Sequence, residues 1–132
     1  MLLEIHIENF AIIDTLHVQF SSGLNIITGE TGAGKSIMVD ALMIALGGRA
    51  YTEFIRAGAH KAVVEAIFSI NNVESARNKA IEYGFIDPEQ EGETELLIRR
   101  EIARNGRNRI LVNGHPATNV MVTELGDLLL DI

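Results

Sequence analysis

Residues Gly29-Glu30-Thr31-Gly32-Ala33-Gly34-Lys35-Ser36 are the stretch of this chain best equipped for chemistry. They fit the pattern G-x-x-x-x-G-K-[ST], a bend whose main-chain N–H groups converge on phosphate oxygens. Gly29, Gly32 and Gly34 allow backbone conformations and approach distances that a Cβ would forbid. Glu30, Thr31 and Ala33 complete the bend between them. Lys35 is placed to reach the β- and γ-phosphates of a nucleotide, and the Ser36 hydroxyl to ligate Mg²⁺. A glycine-rich turn in an ordinary strand–helix unit needs neither three glycines nor the Lys-Ser pair that follows.

Such a loop works only between a strand and a helix N-terminus, where the helix dipole favours negative charge. Leu24-Asn25-Ile26-Ile27-Thr28 reads as a short buried strand. Ser36 to Leu46 reads as a helix, apolar nearly all round and therefore expected to be buried on every side. Gly47-Gly48 is positioned to end it. Further out, Leu3, Ile5 and Ile7 alternate with Glu4, His6 and Glu8, and Leu16, Val18 and Phe20 alternate with His17 and Gln19, so two half-buried strands flank a connector over Asn9–Asp14. Ser21-Ser22-Gly23 reads as a turn. Tyr51 to His60 is an irregular or short helical crossing.

Beyond it, Ala62–Ile70 reads as a strand with Val64, Ala66, Phe68 and Ile70 on one face. Val73–Tyr83 suits a surface helix, with Asn72 as its N-cap and Gly84 as its stop. Glu95–Ala103 and Arg109–Asn113 read as strands around a hairpin at Asn105-Gly106, its loop lengthened by Arg104 and Arg107. Asn113-Gly114-His115-Pro116 is a further turn. Thr118 can cap a helix through Leu125, and Leu128–Ile132 reads as a final strand. The mixture is a mixed α/β fold with an antiparallel β-subdomain, not the uniform βαβα alternation of a doubly wound core.

Composition narrows the class. The chain has 132 residues, 47% of them hydrophobic, enough for one domain with a real core. There is no cysteine, so no disulfide framework and no thiolate metal site. No apolar run reaches membrane-span length. Met1 to Glu8 alternates like a strand and lacks a basic leader, so a cytosolic (cytoplasmic) protein with no membrane partner is expected. The net charge of −7 argues against a whole-surface nucleic-acid binder. Charge is nonetheless uneven: an acidic run at Asp87, Glu89, Glu91, Glu93 and Glu95 precedes Arg99, Arg100, Arg104, Arg107 and Arg109, five of the eight arginines. Strand alternation sets Arg99 and Arg100 on opposite faces, so the five do not form one patch. They read as a solvated hairpin, with phosphates or an acidic partner, such as the Asp87–Glu95 loop, as the alternative. His6, His17, His60 and His115 show no ligand spacing. Asp40 reads as a local polar contact.

Three stretches together resemble the N-terminal head segment of the RecN family, bacterial DNA-repair ATPases within the SMC and ABC superfamily. They are Leu2-Leu3-Glu4-Ile5-His6-Ile7-Glu8-Asn9-Phe10-Ala11-Ile12-Ile13-Asp14; Thr28 through Ile37 followed by Gly47-Gly48-Arg49-Ala50; and Val112-Asn113-Gly114 with Leu125-Gly126-Asp127-Leu128-Leu129-Leu130-Asp131-Ile132. The resemblance runs the length of the chain. It implies that residues 1–132 form the N-terminal lobe of a P-loop ABC/SMC-type ATPase head that holds ATP and Mg²⁺. It also implies that a Q-loop, a coiled-coil arm and a C-terminal lobe with signature motif, Walker B pair and switch histidine belong to the family protein. The fragment alone is therefore expected to be inactive as an ATPase. The implied partners are that C-terminal lobe, a second head in an ATP-sandwiched homodimer, and DNA, with double-strand-break repair and recombination on the nucleoid as the setting.

The resemblance also suggests roles outside the loop. An arginine near position 56 approaches DNA or the nucleotide edge in SMC-like heads, which selects Arg56, with Arg49 as the second choice. Adenine and ribose would lie against the Asn9–Asp14 connector, where Ile13 offers an apolar contact. Related heads often carry a basic residue in that connector and this chain has none. Leu128-Leu129-Leu130-Asp131 imitates Walker B but is short and has no following Glu, so it reads as a strand leading toward the Q-loop. Three rivals stand beside this reading. A transporter nucleotide-binding half conflicts with the Asn-Phe-Ala-Ile-Ile-Asp start. A small-molecule P-loop kinase needs an arginine-rich lid where a strand and an acidic loop follow. The third is a module that only binds or dimerises.

Overall fold

A computed structural model describes residues 1–20, 32–89 and 94–130, with the side chains of 32–35 left aside. The predicted strand Leu24–Thr28, the turn before it, Gly29, Glu30 and Thr31 of the loop, and the terminal Asp131-Ile132 lie outside the described residues.

Among the described residues six strands form the sheet: β1 Leu2–Phe10, β2 Ile13–Gln19, β3 Lys61–Ser69, β4 Glu95–Ala103, β5 Arg109–Val112 and β6 His115–Pro116. Their order is β2-β1-β3-β4-β5-β6 and every neighbouring pair is antiparallel. Three helices, α1 Gly32–Ala45, α2 Glu74–Glu82 and α3 Asn119–Leu129, and a 3₁₀ turn Thr52–Phe54 complete the described architecture. This is the mixed α/β fold with an antiparallel sheet that the strand alternation predicts.

The period-2 pattern sorts residues between the faces. Ile5 and Ile7 of β1, Ala62, Val64, Ala66 and Phe68 of β3, and Leu96, Ile98 and Ile102 of β4 are fully buried. They meet the helices in two adjoining clusters. One joins Met38, Ala41, Ile44 and Ala45 of α1 to β1 and to the Ala62–Val64 end of β3. The other joins Ala76 and Ala80 of α2 and Val122 and Leu125 of α3 to Phe68, Leu96 and Val112. Each such large side chain contributes roughly 1.5–3 kcal/mol on burial. The opposite face carries cross-strand pairs of polar and charged residues: His6 opposes Glu65, Glu65 opposes Arg99, and Glu101 opposes Arg109.

Both predicted glycine stops hold. Gly47 has φ +104°, and its N–H and that of Gly48 bond back to Ile44 O and Met43 O. Gly84 has φ +81°, with its N–H and that of Phe85 bonded to Ile81 O and Ala80 O. Both ends are Schellman motifs. The predicted cap Thr118 accepts a hydrogen bond from Met121 N at 3.3 Å. Asn113 (φ +50°) and Gly114 (φ +81°) form a two-residue hairpin turn that pairs Val112 with His115.

Four expectations are corrected. The helix after the loop is not buried all round. Val39 and Met43, one turn apart, are 56% and 50% exposed, because α1 lies on the sheet by one face and no described element covers the other. Asn72 does not cap α2. Val73 occupies that position without a side-chain bond, and Asn71 instead accepts from Thr94 N at 2.6 Å. The connector Asn9–Asp14 shrinks to a tight turn, because β1 runs to Phe10 and β2 starts at Ile13. Leu128 and Leu129 belong to α3 rather than to a final strand. That helix continues because Leu125 and Gly126 pack inward, with Gly126 so close to Leu46 that an added Cβ would lie 3.1 Å from the Leu46 side chain.

Candidate functional site

The described part of the site starts from α1. Its backbone is helical from Gly32 onward, and its first turn carries no acidic residue. The partial positive charge of that helix end is therefore not neutralised by a carboxylate of its own. Ser36 is exposed one turn in. An anionic group such as a phosphate fits such a terminus. Gly32, Ala33, Gly34 and Lys35 occupy this turn; their side chains lie outside the described set, as do Gly29, Glu30 and Thr31.

Beside α1 stands the β1–β2 turn. Asn9 and Ala11 both have positive φ, +51° and +54°, which non-glycine residues adopt only where the surroundings hold them. The surroundings here are the 51–59 segment. Ala11 N donates to Phe54 O at 2.7 Å and Arg56 N to Asn9 O at 2.8 Å, while Phe10 bridges to Ile55. The Phe10 and Phe54 rings stack at 5.4 Å. Ile13 packs, partly buried, against the same cluster as Phe10, Met38 and Ile55. Ile12 points away from it, 75% exposed.

This stitching brings together two predicted site residues far apart in the chain. Arg56 Nη1 lies 3.7 Å from Asp14 Oδ1, with both side chains well exposed. The connector, which has no basic residue of its own, gains one from Arg56. A shallow hollow of about 350 Å³ opens beside them, lined by Asn9, Arg56, Ala57, Gly58 and Ala59. Arg49 is elsewhere employed: its guanidinium sits 5.7 Å from the centre of the Tyr51 ring.

The arginine hairpin is less solvated than the sequence suggests. Arg104 Nε donates to Ala59 O at 2.7 Å and its Nη2 to Arg56 O at 3.1 Å, so it fastens the loop that presents Arg56. Arg99 bonds Glu101 and Glu65, both at 2.8 Å. Burial opposes its charge, but those two carboxylates prevail and raise its pKa. The Arg99 hydrogen bond in turn holds the Glu101 carboxyl below the usual range against the effect of burial, with Lys61 and Arg109 adding to it. The acidic partners of Arg99 among the described residues are Glu65 on β3 and Glu101 on β4. Only Arg100 turns to the helix side, where burial lowers its pKa. Among the described residues no group of three or more His, Asp or Glu could hold a metal, and no helix is long and apolar enough to cross a membrane.

Sequence reasoning missed Asp14 as the partner of Arg56, and Asn9 as the residue whose carbonyl receives the Arg56 amide. The only signal for either was their presence in the Asn9–Asp14 stretch.

Known proteins resemble this chain in sequence and in fold. The AAA domain family matches residues 4–127. The DNA repair protein RecN of Bacillus subtilis (strain 168) is 43% identical over all of this chain, which covers 22% of that protein. RecN of Vibrio cholerae serotype O1 is 39% identical over all of this chain and 23% of its own length. The chain therefore spans less than a quarter of these relatives. A structure from work on ATP-driven dimerization and DNA-stimulated activation of SMC ATPases superposes with a TM-score of 0.72 at 25% identity, covering 97% of this chain and 78% of that one. A structure of the recombination mediator protein RecF in the RecFOR pathway superposes at 0.67 with 21% identity, over 92% of this chain and 29% of that one, a likeness of fold.

Proposed function

This chain belongs to the AAA domain family, and from that premise we propose that residues 1–132 are the ATP- and Mg²⁺-binding lobe of a RecN-like, SMC-type ATPase head acting in DNA double-strand-break repair and recombination. The observation that carries the reading is the bare N-terminal turn of α1, free of acidic residues and followed by an exposed Ser36. Similarity to RecN proteins along the whole chain supports the repair setting. The same similarity, with SMC and RecF heads among the structural relatives, disfavours a transporter half or a small-molecule kinase.

In this reading the amides of the bend from Gly29 to Gly34 cradle the phosphates, with Glu30, Thr31 and Ala33 as members of the bend. Lys35 neutralises charge between the β- and γ-phosphates, and the Ser36 hydroxyl holds Mg²⁺. When bound, the metal neutralises charge that develops on the transferred phosphoryl group. Ile13 supplies an apolar surface to the adenine, and Arg56 meets the nucleotide edge or DNA. Phosphoryl transfer of this kind is mostly positioning and electrostatics, so this lobe's share is to bind and orient. The attacking water and its carboxylate base belong to the C-terminal lobe of the full protein, and the signature motif to a second head in an ATP-sandwiched homodimer. Closure of the two heads couples ATP to DNA handling in the cytoplasm, on the nucleoid.

The test is ATP hydrolysis by the full-length protein with and without DNA. Lys35→Ala is expected to lower turnover at least about a hundredfold in both conditions. Unchanged turnover would refute the assignment of the loop.

A further inference from the structure

The buried face of β4 carries one charge. Leu96, Ile98 and Ile102 alternate inward as apolar residues, and Arg100 takes the position between the last two, 7% exposed. Its row across the sheet is Ile7, Val64, Arg100 and Ile110. A guanidinium in that setting is costly unless something specific receives it. No carboxylate lies within ion-pair distance among the described residues, and Nε has no partner among them.

What receives it is the far end of α1. Arg100 Nη1 donates to Ile44 O at 2.8 Å and to Gly48 O at 3.2 Å, with Asn119 Oδ1 at a marginal 3.5 Å. Ile44 O is one of the last-turn carbonyls; it already accepts from Gly47 N at 3.2 Å, and Arg100 takes its second lone pair. A cation there also answers the negative end of the helix dipole. The helix has 14 residues and is about 21 Å long. A helix that short moves as a rod, so whatever fixes one end fixes the axial position of the other.

We propose that Arg100 is a positioning residue for the phosphate-binding end of α1: by gripping the helix's C-terminal carbonyls from β4, it sets where the N-terminal turn stands when a triphosphate binds. This rests on the nucleotide-site reading above. A nucleotide held through converging amides is sensitive to their placement, and a displacement near 1 Å can cost about a hundredfold. An apolar residue would satisfy the core around Arg100 at least as well. A buried charge aimed at the end of this helix serves its register instead.

The experiment compares Mg-ATP affinity and thermal unfolding for the full-length protein and four variants. Arg100→Met keeps length and removes the donors. Arg100→Lys keeps a charge within reach of Ile44 O. Ala80→Gly weakens α2 without touching α1, as a control for general instability. Lys35→Ala tests the site itself. Arg100→Met is expected to weaken ATP binding about ten- to a hundredfold. Arg100→Lys should recover most of that loss, and Ala80→Gly should leave affinity unchanged despite a lowered Tm. The inference is overturned if Arg100→Met binds like wild type. It is overturned equally if Ala80→Gly loses as much affinity at a matched loss of Tm. Should Arg100→Met not fold, a further variant, Arg100→Gln, decides: faster amide exchange in the last turn of α1 with a weaker affinity supports the inference, and unchanged affinity ends it. If Lys35→Ala binds ATP as wild type does, the nucleotide-site reading fails, and this inference with it.

Discussion

The two ends of α1 are built by opposite rules. The C-terminal end is held by several contacts. Gly47 and Gly48 close a Schellman motif, Arg100 covers Ile44 O, and the backbone at Gly47 comes so close to α3 that a Cβ would meet Thr123 Oγ1 at 2.2 Å. At the N-terminal end Ser36 and Asp40 are exposed, the first turn of α1 has no acidic residue of its own, and the Arg56–Asp14 pair is long and open. Among the described residues, contacts are concentrated at the end where no ligand is expected. A fold can keep a binding surface open in this way, because the stability lost at the open end is supplied one helix length away.

If that contrast is right, the largest stability effect belongs to the closed end. Gly47→Val places a β-branched side chain at φ +104° against Thr123. A loss of about 2–4 kcal/mol in urea unfolding is expected. A loss below about 1 kcal/mol would show that the α1–α3 contact relaxes easily.

The next effect falls on the outer face of β4. Glu101, with a side chain 10% exposed, serves Arg99, Lys61 and Arg109. Its carboxyl is held below the usual range by the Arg99 hydrogen bond first. A group with a lowered folded pKa contributes stability above its unfolded pKa and loses it as pH falls through the folded value. Glu101→Gln should therefore cost about 1–2 kcal/mol near neutral pH, and the difference from wild type should shrink below about pH 4. Paired unfolding curves at pH 7 and pH 3 would check it. A constant difference would exclude the ionic explanation.

A smaller effect is expected from Thr118→Ala, which removes the N-cap of α3 beside Asn119. A loss of about 1 kcal/mol should appear in the same assay. The smallest belongs to the open end. Arg56→Ala should change stability by less than about 0.5 kcal/mol, since its pair with Asp14 is exposed at 3.7 Å. Its consequence should lie in nucleotide or DNA binding instead, so a large fall in Tm would erase the contrast between the two ends.

Most of the fold was legible because it rests on short-range rules. Period-2 alternation marked β1, β3 and β4, and the glycines at 47 and 84, the Asn113-Gly114 pair and Thr118 marked ends and turns by local conformation alone. What escaped depends on contacts distant in sequence. Alternation separated Arg99 from Arg100 but did not tell which face the helices cover. Val39 and Met43 looked like core because nothing local says that no described element covers their side. Leu128 and Leu129 looked like a strand because a short apolar run has no period of its own, and the packing of Gly126 against Leu46 decided for helix. Of the candidate site, the loop from Gly29 to Lys35 stands on its motif and family. The meeting of Arg56 with Asp14 stands on the structure.

The central claim is that Lys35 and the amides before it grip a triphosphate. Titrating Mg-ATP into the wild-type protein and Lys35→Ala under identical conditions tests it directly. Saturable binding that weakens by about a hundredfold or more in the variant is the predicted result. Equal affinity in the two proteins would contradict the account.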